Sequence, residues 1–327
     1  MLNSLVLGGG GFIGNHLVNY LKDLGKNVIA VDLKNPEFTN TNADDFILGD
    51  LTRSDFTDDI LNGQYKFDEI YQLAADMGGA EFIFSGDNDA DVMTNSGLIN
   101  LNVLRSLKKN LEKTSSNPKI FYSSSACIYP EEKQLNENNV SLKEDDAYPA
   151  NPDSEYGWEK LFSERLFQTF SKNFGFDIRI ARFHNIYGPL STYSGGREKA
   201  PAAICRKIAE VVNGGEIEIF GDGEQTRSFL YIDDCLEGVE RLMNSNHKTP
   251  INIGSEEMVS INEMARIVGE IAGKQFKLKH IDGPLGVRGR NSNNDLVKKV
   301  LGWDYQFTLK EGLSKTYSWI SEMINDE

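Results

Sequence analysis

The sequence predicts an α/β fold in which a doubly wound parallel sheet is joined to a smaller, discontinuous α/β domain. Three observations support this prediction. A glycine-rich turn follows the first apolar run, short apolar runs alternate with helical patterns as far as residue 183, and the later part of the chain is richer in loops and basic residues. Such alternation is typical of a parallel sheet covered by helices. The 327 residues suffice for about two domains.

The first element is a βαβ unit built around glycines. Apolar residues 5–7 predict a strand, a turn with glycines at positions 8, 11 and 14 follows, and a helical pattern then leads to a strand that ends at Asp32. Such glycines let the backbone approach a pyrophosphate, as in the Rossmann fold. Asp32 would accept from the adenosine ribose hydroxyls and repel a 2′-phosphate, so NAD is the expected cofactor. The expected contacts are Gly8, Gly11, Phe12, Ile13, Gly14 and Asp32.

Two further strands bring candidate cofactor residues to the same edge of the sheet. The run 46–50 predicts a third strand ending at Asp50, which is either an adenine contact or a solvated turn acid. The run 69–75 predicts a fourth strand, and ligands bind at the carboxyl ends of such strands. A helix over residues 88–109 carries Asn95 near its start, as a cofactor contact or a structural cap. The expected cofactor residues here are Asp50, Leu73, Ala74, Ala75 and Asn95.

The catalytic candidates come from the fifth strand and the helix after it. Ser125 and Cys127 follow the apolar run 120–122. Tyr156 and Lys160 lie four residues apart on one face of a helix predicted to end near residue 174. The Lys160 ammonium would lower the pKa of Tyr156, as removal of an alcohol proton requires, and Ser125 could hold the same oxygen. Cys127 could act on a neighbouring carbon, or it could be a small buried hydrophobe.

The pattern changes after a sixth strand over residues 178–183. A basic segment, 197–203, opens a helix, and a later strand, 229–232, is expected to return with its helix to the first domain. Further helices are predicted over residues 259–272 and 309–322. The expected division is an NAD-binding domain of residues 1–183 plus 228–245 and a ligand-binding domain of residues 184–227 plus 246–327.

Composition limits the partners and the compartment. The net charge of -15 argues against nucleic acid, because a phosphate backbone requires a basic face. The three cysteines have no paired spacing and the four histidines are scattered, so neither disulfides nor a metal site is expected. No apolar run suits a membrane span and no leader is visible, so we expect a cytoplasmic protein. Basic residues that could hold a small anion are gathered in the second half: Arg197, Lys199, Arg206, Lys207, Arg227, Arg288 and Arg290.

Taken together, these motifs resemble those of the extended short-chain dehydrogenase/reductase family of nucleotide-sugar enzymes. The residues that carry the resemblance are the glycine turn, Asp32, Ser125, Tyr156, Lys160 and the segment 185–189. Within that family the chain is similar, over nearly its whole length, to the GDP-mannose 3,5-epimerases. The segments that carry this closer resemblance are 74–79, 124–130, 195–203, 223–229 and 286–292.

The resemblance implies redox-assisted epimerisation of a GDP-sugar by a homodimer whose 88–109 and 156–174 helices pack as a four-helix bundle. Tyr156 with Lys160 would exchange the hydride at carbon 4, which acidifies the hydrogens on carbons 3 and 5. Cys127 and Lys199 would be the acid/base pair, in an order that stays open. The implied substrate contacts are Gly78, Gly79, Ser125, Ala126, Cys127, Asn185, Glu198, Lys199, Ala200, Lys207, Gln225, Arg227, Arg288 and Arg290.

Three functions are compatible with the sequence. The preferred one inverts carbon 3, carbon 5 or both of a GDP-hexose, with GDP-mannose giving GDP-L-galactose or GDP-L-gulose. A second keeps the machinery but takes another nucleotide sugar, such as a GDP-heptose, a 4-keto GDP-sugar or the substrate of a UDP-sugar 4-epimerase. A third is a non-catalytic NAD-binding sensor, which would have no need of Tyr156 and Lys160. Position 127 favours the first, because a cysteine can move a ring proton.

Overall fold

The computed structural model describes residues 2–138, 140–283 and 286–326. The helices in these ranges are α1 Phe12–Asp23, α2 Ser54–Asn62, α3 Ala80–Phe84, α4 Asp89–Thr114, α5 Glu155–Phe174, α6 Ala200–Glu210, α7 Ile232–Asn244, α8 Ile261–Ala272, α9 Asp295–Leu301 and α10 Leu309–Asp326. The strands are β1 Asn3–Leu7, β2 Asn27–Asp32, β3 Asp45–Leu48, β4 Glu69–Gln72, β5 Lys119–Ser125, β6 Asp177–Phe183, β7 Ile186–Tyr187, β8 Glu216–Phe220, β9 Thr226–Ser228, β10 Leu230–Tyr231, β11 Ile251–Ile253, β12 Met258–Ser260, β13 Lys277–Ile281 and β14 Gly289–Arg290.

A seven-stranded sheet with the order β11-β6-β5-β4-β1-β2-β3 forms the centre of the molecule. Every neighbouring pair in it is parallel. Side chains on successive strand positions point to opposite faces, and both faces are covered. Val6 and Ala30 pack towards α1 and α7, whereas Leu5, Ile29 and Ile70 pack towards α4 and α5. The predicted doubly wound parallel sheet is therefore confirmed.

The strand order reverses between β1 and β4, which opens a crevice at their carboxyl ends. The chain runs outward from β1 through β2 to β3 on one side and from β4 through β5 to β6 on the other. Leu73 donates its backbone N–H to the carbonyl of Leu7 at 3.0 Å, so the two strand ends lie side by side. This reversal is where open α/β sheets bind ligands.

A smaller region lies beyond the carboxyl edge of the sheet. The helices α6, α8 and α10 pack on one another through buried side chains that include Ile204, Met264 and Leu313. Short sheets surround them, with β8 paired to β13, β9 between β12 and β14, and β7 paired to β10. No helix in the described part of the chain combines the length and the apolar character needed to cross a membrane.

Two short strands depart from the sequence prediction. The strand expected over residues 229–232 contains only two paired residues, which join β7 rather than the main sheet, although α7 after it does pack on that sheet. The edge of the main sheet is instead β11, which lies beyond the expected end of the first domain at residue 245. Three residues are too few for a periodic signal, so tertiary pairing with β6 decides this strand.

Candidate active site

A cleft of about 1170 Å³ lies between the carboxyl edge of the sheet and the smaller region. Its wall includes all the candidate cofactor and substrate residues named from the sequence except Arg288. Residues from the turns after β1 and β4 and from β5, α5, α6 and β9 therefore meet in one space, although they are widely separated along the chain.

The first βα turn has the shape of a pyrophosphate cradle. Gly8 has a φ of 88°, and a Cβ there would lie 2.7 Å from the backbone nitrogen of Ala74. A Cβ on Gly14 would lie 1.9 Å from the carbonyl oxygen of Gly8. No side chain caps the N-terminus of α1, so the N–H groups and dipole of that terminus face the cleft. The turn therefore fits the diphosphate of a dinucleotide.

Asp32 lies at the end of β2 and faces this turn. Its Oδ2 accepts the backbone N–H of Gly10 at 2.9 Å. A Cβ at position 10 would lie 2.1 Å from the carbonyl oxygen of Lys34, a constraint that the glycine spacing did not reveal. The carboxylate lines the cleft, in the position that suits the ribose diol of NAD.

Asp50 and Asn95 line the same half of the cleft. Asp50 accepts hydrogen bonds from the backbone N–H and the hydroxyl of Thr52, at 2.8 and 2.7 Å, which is the turn role that the sequence left open. Its contact with adenine stays a prediction. Asn95 lies inside α4 and donates to Oδ2 of Asp76 at 3.0 Å. It is therefore not the helix cap, a position that Asn88 occupies.

The side chains of Tyr156 and Ser125 interact in the wall of the cleft, and Nζ of Lys160 lies 5.7 Å from the centre of the Tyr156 ring. Burial raises the pKa of Tyr156, and the nearby Cys127 raises it further. The expected lowering of this pKa by Lys160 is therefore not found. The reason is geometric, because Nζ of Lys160 donates to the carbonyl of Ser123 at 3.0 Å and is itself desolvated, which lowers its own pKa.

Cys127 lies directly after β5, on a short 3₁₀ turn whose cap is Ser125. The hydroxyl of Ser125 accepts the backbone N–H of Cys127 at 3.2 Å. The Sγ atom of Cys127 lies 3.1 Å from Nη1 of Arg290. Burial raises the pKa of the thiol, and Asp153 raises it further, while Arg290 acts in the opposite direction. The side chain lines the cleft, whereas Cys205 and Cys235 are fully buried in helices.

Lys199 lies immediately before α6 and is not a solvated lysine. Its Nζ is 3.5 Å from the carbonyl oxygen of Ile186. Burial lowers its pKa, and interaction with Cys127 and Cys235 partly offsets that effect. The structure thus places an amine of lowered pKa and a thiol of raised pKa in the same cleft.

The three arginines expected at a diphosphate lie in different environments. Arg227 lines the cleft, and burial together with Arg290 lowers its pKa to about 9, which still leaves it charged at neutral pH. Arg290 is buried in an ion pair with Asp153. Arg288 lies outside the cleft wall, where it pairs with Glu137 at 3.2 Å and with Asp222 at 2.9 Å. The substrate contact expected of Arg288 therefore has no support from its position.

The remaining candidates form the far wall of the cleft. Gly79 donates its N–H to the carbonyl of Arg197 at 2.9 Å, which joins the loop after β4 to the loop before α6. Gln225 donates to the carbonyl of Phe220 at 3.2 Å and leaves its buried Oε1 without a partner among the described residues. Other polar contacts in this wall are Asn185 Nδ2 to Ser228 O at 2.8 Å, Glu198 Oε2 with Gly196 N at 2.7 Å, and Lys207 Nζ to Glu218 O at 2.7 Å.

Sequence reasoning missed three residues of this site. Gly10 holds Asp32, while Asp153 and Gln134 hold Arg290. Asp153 precedes the helix cap Ser154, where an acid is common and carries no signal of its own. Within the described ranges, no three His, Cys, Asp or Glu side chains cluster as metal ligands would.

Known proteins with similar sequences match nearly the whole chain. The model of the NAD dependent epimerase/dehydratase family matches residues 4–254. The GDP-mannose 3,5-epimerase of Arabidopsis thaliana is 49% identical over 324 residues, which cover 98% of this chain and 83% of that protein. The UDP-glucuronic acid decarboxylase 3 of the same plant is 30% identical, over 94% of this chain and 86% of that protein.

Solved structures share the architecture. A UDP-glucose 4-epimerase from Thermotoga maritima, solved with UDP-glucose, has a TM-score of 0.85 at 26% identity and covers 99% of this chain and 100% of its own. A UDP-glucuronic acid 4-epimerase from Bacillus cereus, solved with UDP-glucuronic acid and NAD, has a TM-score of 0.81 at 26% identity, over 98% of this chain and 100% of that one.

Proposed function

Because this chain belongs to the NAD dependent epimerase/dehydratase family, we propose that it acts on a GDP-hexose, namely GDP-mannose, and inverts carbon 3, carbon 5 or both. The chain is an NAD-dependent nucleotide-sugar epimerase, as its motifs predicted. The relatives that are 49% identical to it are named GDP-mannose 3,5-epimerases, which supports this particular sugar nucleotide. The products would be GDP-L-galactose or GDP-L-gulose.

One observation carries the proposal beyond its family. The Cys127 thiol and the Lys199 amine line the same cleft; burial lowers the pKa of Lys199 towards the working pH and raises the pKa of Cys127, which keeps the thiol protonated. General acid–base catalysis is most efficient when the pKa of a group lies near the working pH, and it needs one group that can accept a proton and one that can supply it. A 4-epimerase moves no ring proton and has no use for such a pair.

The redox half of the reaction is assigned to the centre of the cleft. Bound NAD⁺ would supply the hydride acceptor, held by the turn of Gly8 and Gly14 and by Asp32. Ser125 and Tyr156 would bind the hydroxyl on carbon 4, and Tyr156 would take its proton. Because burial raises the pKa of Tyr156, the phenolate needs a compensating charge, and Lys160 on the same helix face is the available cation.

The proton-transfer half is assigned to Cys127 and Lys199. Oxidation of carbon 4 to a ketone makes the hydrogens on the adjacent carbons acidic. One of the two side chains would then remove a proton from the ring, and the other would return a proton to the opposite face. Carbon 4 would finally regain its hydride, and Tyr156 would return the proton to its oxygen, so the reaction consumes no net oxidant. Arg227 lines the same cleft and is suited to the diphosphate, because a guanidinium forms paired hydrogen bonds with phosphate oxygens.

The proposal is tested by incubating the protein with GDP-mannose in heavy water and recording NMR spectra of the recovered sugar. We expect deuterium at carbon 5, carbon 3 or both, together with signals of a new L-sugar. UDP-glucose under the same conditions is the matched control and should gain no deuterium. Exchange into the UDP-sugar alone, or no exchange into GDP-mannose by protein that holds NAD, would reject the proposed substrate.

We also propose that the protein is a cytoplasmic homodimer. Apolar side chains on α4 and α5 are exposed in the single chain, namely Met93, Leu98, Trp158 and Phe162. Two copies packed through these helices would cover them, since apolar patches of this kind are typical of interfaces. Sedimentation at twice the chain mass is the expected result, and a monomer mass would contradict it. The free thiol of Cys127 in the cleft suits a reducing compartment.

A further inference from the structure

Three side chains contact one another in turn between the start of α5 and the wall of the cleft: Asp153, Arg290 and Cys127. The carboxylate of Asp153 accepts a hydrogen bond from Nη2 of Arg290. Nη1 of the same guanidinium lies 3.1 Å from Sγ of Cys127, and its Nε donates to Gln134 at 2.6 Å. Each nitrogen of Arg290 is therefore engaged inside the protein.

This arrangement differs from the one expected for a diphosphate ligand. The side chains of Arg290 and Asp153 are only 4% and 2% exposed. A phosphate that pairs with Arg290 would be confined to the N–H groups that Asp153, Gln134 and Cys127 leave. The fork of the guanidinium is thus directed at a carboxylate on one side and at the thiol on the other.

The charge of Asp153 matters because an arginine cannot release its proton. A bare guanidinium at 3.1 Å would favour the thiolate of Cys127. With Asp153 on its other side, Arg290 belongs to a neutral pair and its effect on the thiol is largely compensated. We propose that Asp153 is a positioning residue: it holds Arg290 against Cys127 and compensates its charge, so that the thiol keeps its proton until the sugar arrives.

Other charged groups also face Cys127. The ionisable groups that interact with it are Asp153, Tyr156, Lys160, Lys199, Arg227 and Arg290. Of these, Asp153 is the carboxylate that raises the pKa of the thiol, and Arg290 is the cation in contact with it. The positioning role deepens the proposed function, because it assumes that the proton of Cys127 is used in the reaction.

The test is the pH dependence of Cys127 alkylation by iodoacetamide, followed by mass spectrometry of the peptide that contains it. Asp153→Asn keeps the shape and an acceptor for Arg290 but removes the charge. We expect its alkylation profile to move to lower pH. For a profile displaced by about one pH unit, the rate at neutral pH should be about 10-fold above the native rate. Asp153→Glu, which restores the charge, should return the profile towards the native one.

Asp222→Asn is the matched control, because it removes a carboxylate from an exposed arginine pair in the neighbouring loop. Its profile should coincide with the native one. An Asp153→Asn profile that is unchanged or moved to higher pH would overturn the positioning role. If that variant does not fold, Arg290→Gln serves instead. The alkylation profile of the Arg290→Gln variant should lie at higher pH than the native profile. Alkylation as fast as in the native protein would also overturn the positioning role of Asp153.

Alkylation requires no substrate, so this test separates the two proposals. A profile moved to lower pH in protein that exchanges no deuterium into GDP-mannose would support the positioning role and reject the proposed substrate. Deuterium exchange into GDP-mannose with an unchanged alkylation profile would support the proposed substrate and reject the positioning role. In active protein, Asp153→Asn should also move the basic limb of kcat/KM to lower pH while NAD remains bound, a change that a merely structural role would not produce.

Discussion

Arg182 and Glu164 form a buried bidentate ion pair, in which Nε and Nη2 each lie 2.9 Å from a carboxylate oxygen. Glu164 belongs to α5, the helix that carries Tyr156, and Arg182 belongs to β6. The hydroxyl of Ser124 donates to the same carboxylate at 2.5 Å. The pair therefore holds α5 against β6, and the Ser124 hydroxyl joins the same carboxylate to β5, the strand that ends at Ser125.

Replacing Glu164 by Gln should destabilise the protein strongly. The guanidinium of Arg182 would stay buried and charged without its counter-ion, a loss of about 3–5 kcal/mol. Urea unfolding monitored by fluorescence would measure it. Glu263→Gln removes an exposed ion pair with Arg266 and is the control, with an expected loss below about 1 kcal/mol. Equal midpoints for the two variants would contradict the role given to Glu164.

Replacing Gly14 by Ala should abolish NAD binding. The added Cβ would lie 1.9 Å from the carbonyl oxygen of Gly8, so the cradle must open. Isothermal titration with NAD⁺ measures the loss. Gly97→Ala, in α4, is the control because a Cβ there meets no atom within 4 Å. It should bind NAD⁺ normally, and retained binding by Gly14→Ala would show that the turn is not the cradle.

Replacing Tyr156 by Phe should stop oxidation at carbon 4 while NAD⁺ remains bound. The Tyr156 hydroxyl, which interacts with the Ser125 side chain, is the group assigned to the substrate proton. The absorbance of reduced nicotinamide after addition of GDP-mannose would report the step, and we expect a loss of at least about 100-fold in its rate. Full formation of that signal by the variant would exclude Tyr156 as the base.

Replacing Cys127 by Ala should separate the two halves of the reaction. Oxidation at carbon 4 should continue, because Tyr156 and Ser125 are unchanged. Deuterium exchange at the ring carbon should fall by about 100-fold or more, since its acid/base partner is gone. Cys205→Ala, a buried packing position in α6, is the control and should exchange normally. Exchange by Cys127→Ala at the native rate would remove Cys127 from the mechanism.

Replacing Lys199 by Met should abolish exchange and yet stabilise the fold. Burial lowers the pKa of Lys199 in the folded state below its ordinary value of 10.5. Between those two values the unfolded chain binds more protons, so native stability rises with pH through that window. The gain in stability of the variant should therefore be largest below the folded-state pKa of Lys199 and shrink as the pH approaches 10.5. A gain that is independent of pH would contradict the burial of a titrating amine.

Much of the cofactor half could be predicted from neighbours along the chain. The strand, the glycine turn, the helix and Asp32 lie within about thirty residues, and the paired positions of Tyr156 and Lys160 follow from the helix period. The edge strand β11 could not be predicted in this way, because its three residues form a strand only through their partner β6.

The sequence by itself determined the fold class and the cofactor, because these depend on local spacing and residue type, and its resemblance to a known family supplied most of the side chains that line the cleft. Only the tertiary structure decided how those side chains are used. Asp153 and Cys127 are 137 and 163 residues from Arg290, and no local pattern joins them. The raised pKa of Tyr156 and the lowered pKa of Lys199 were likewise decided by burial, because desolvation depends on everything packed around a group and not on its neighbours in the chain.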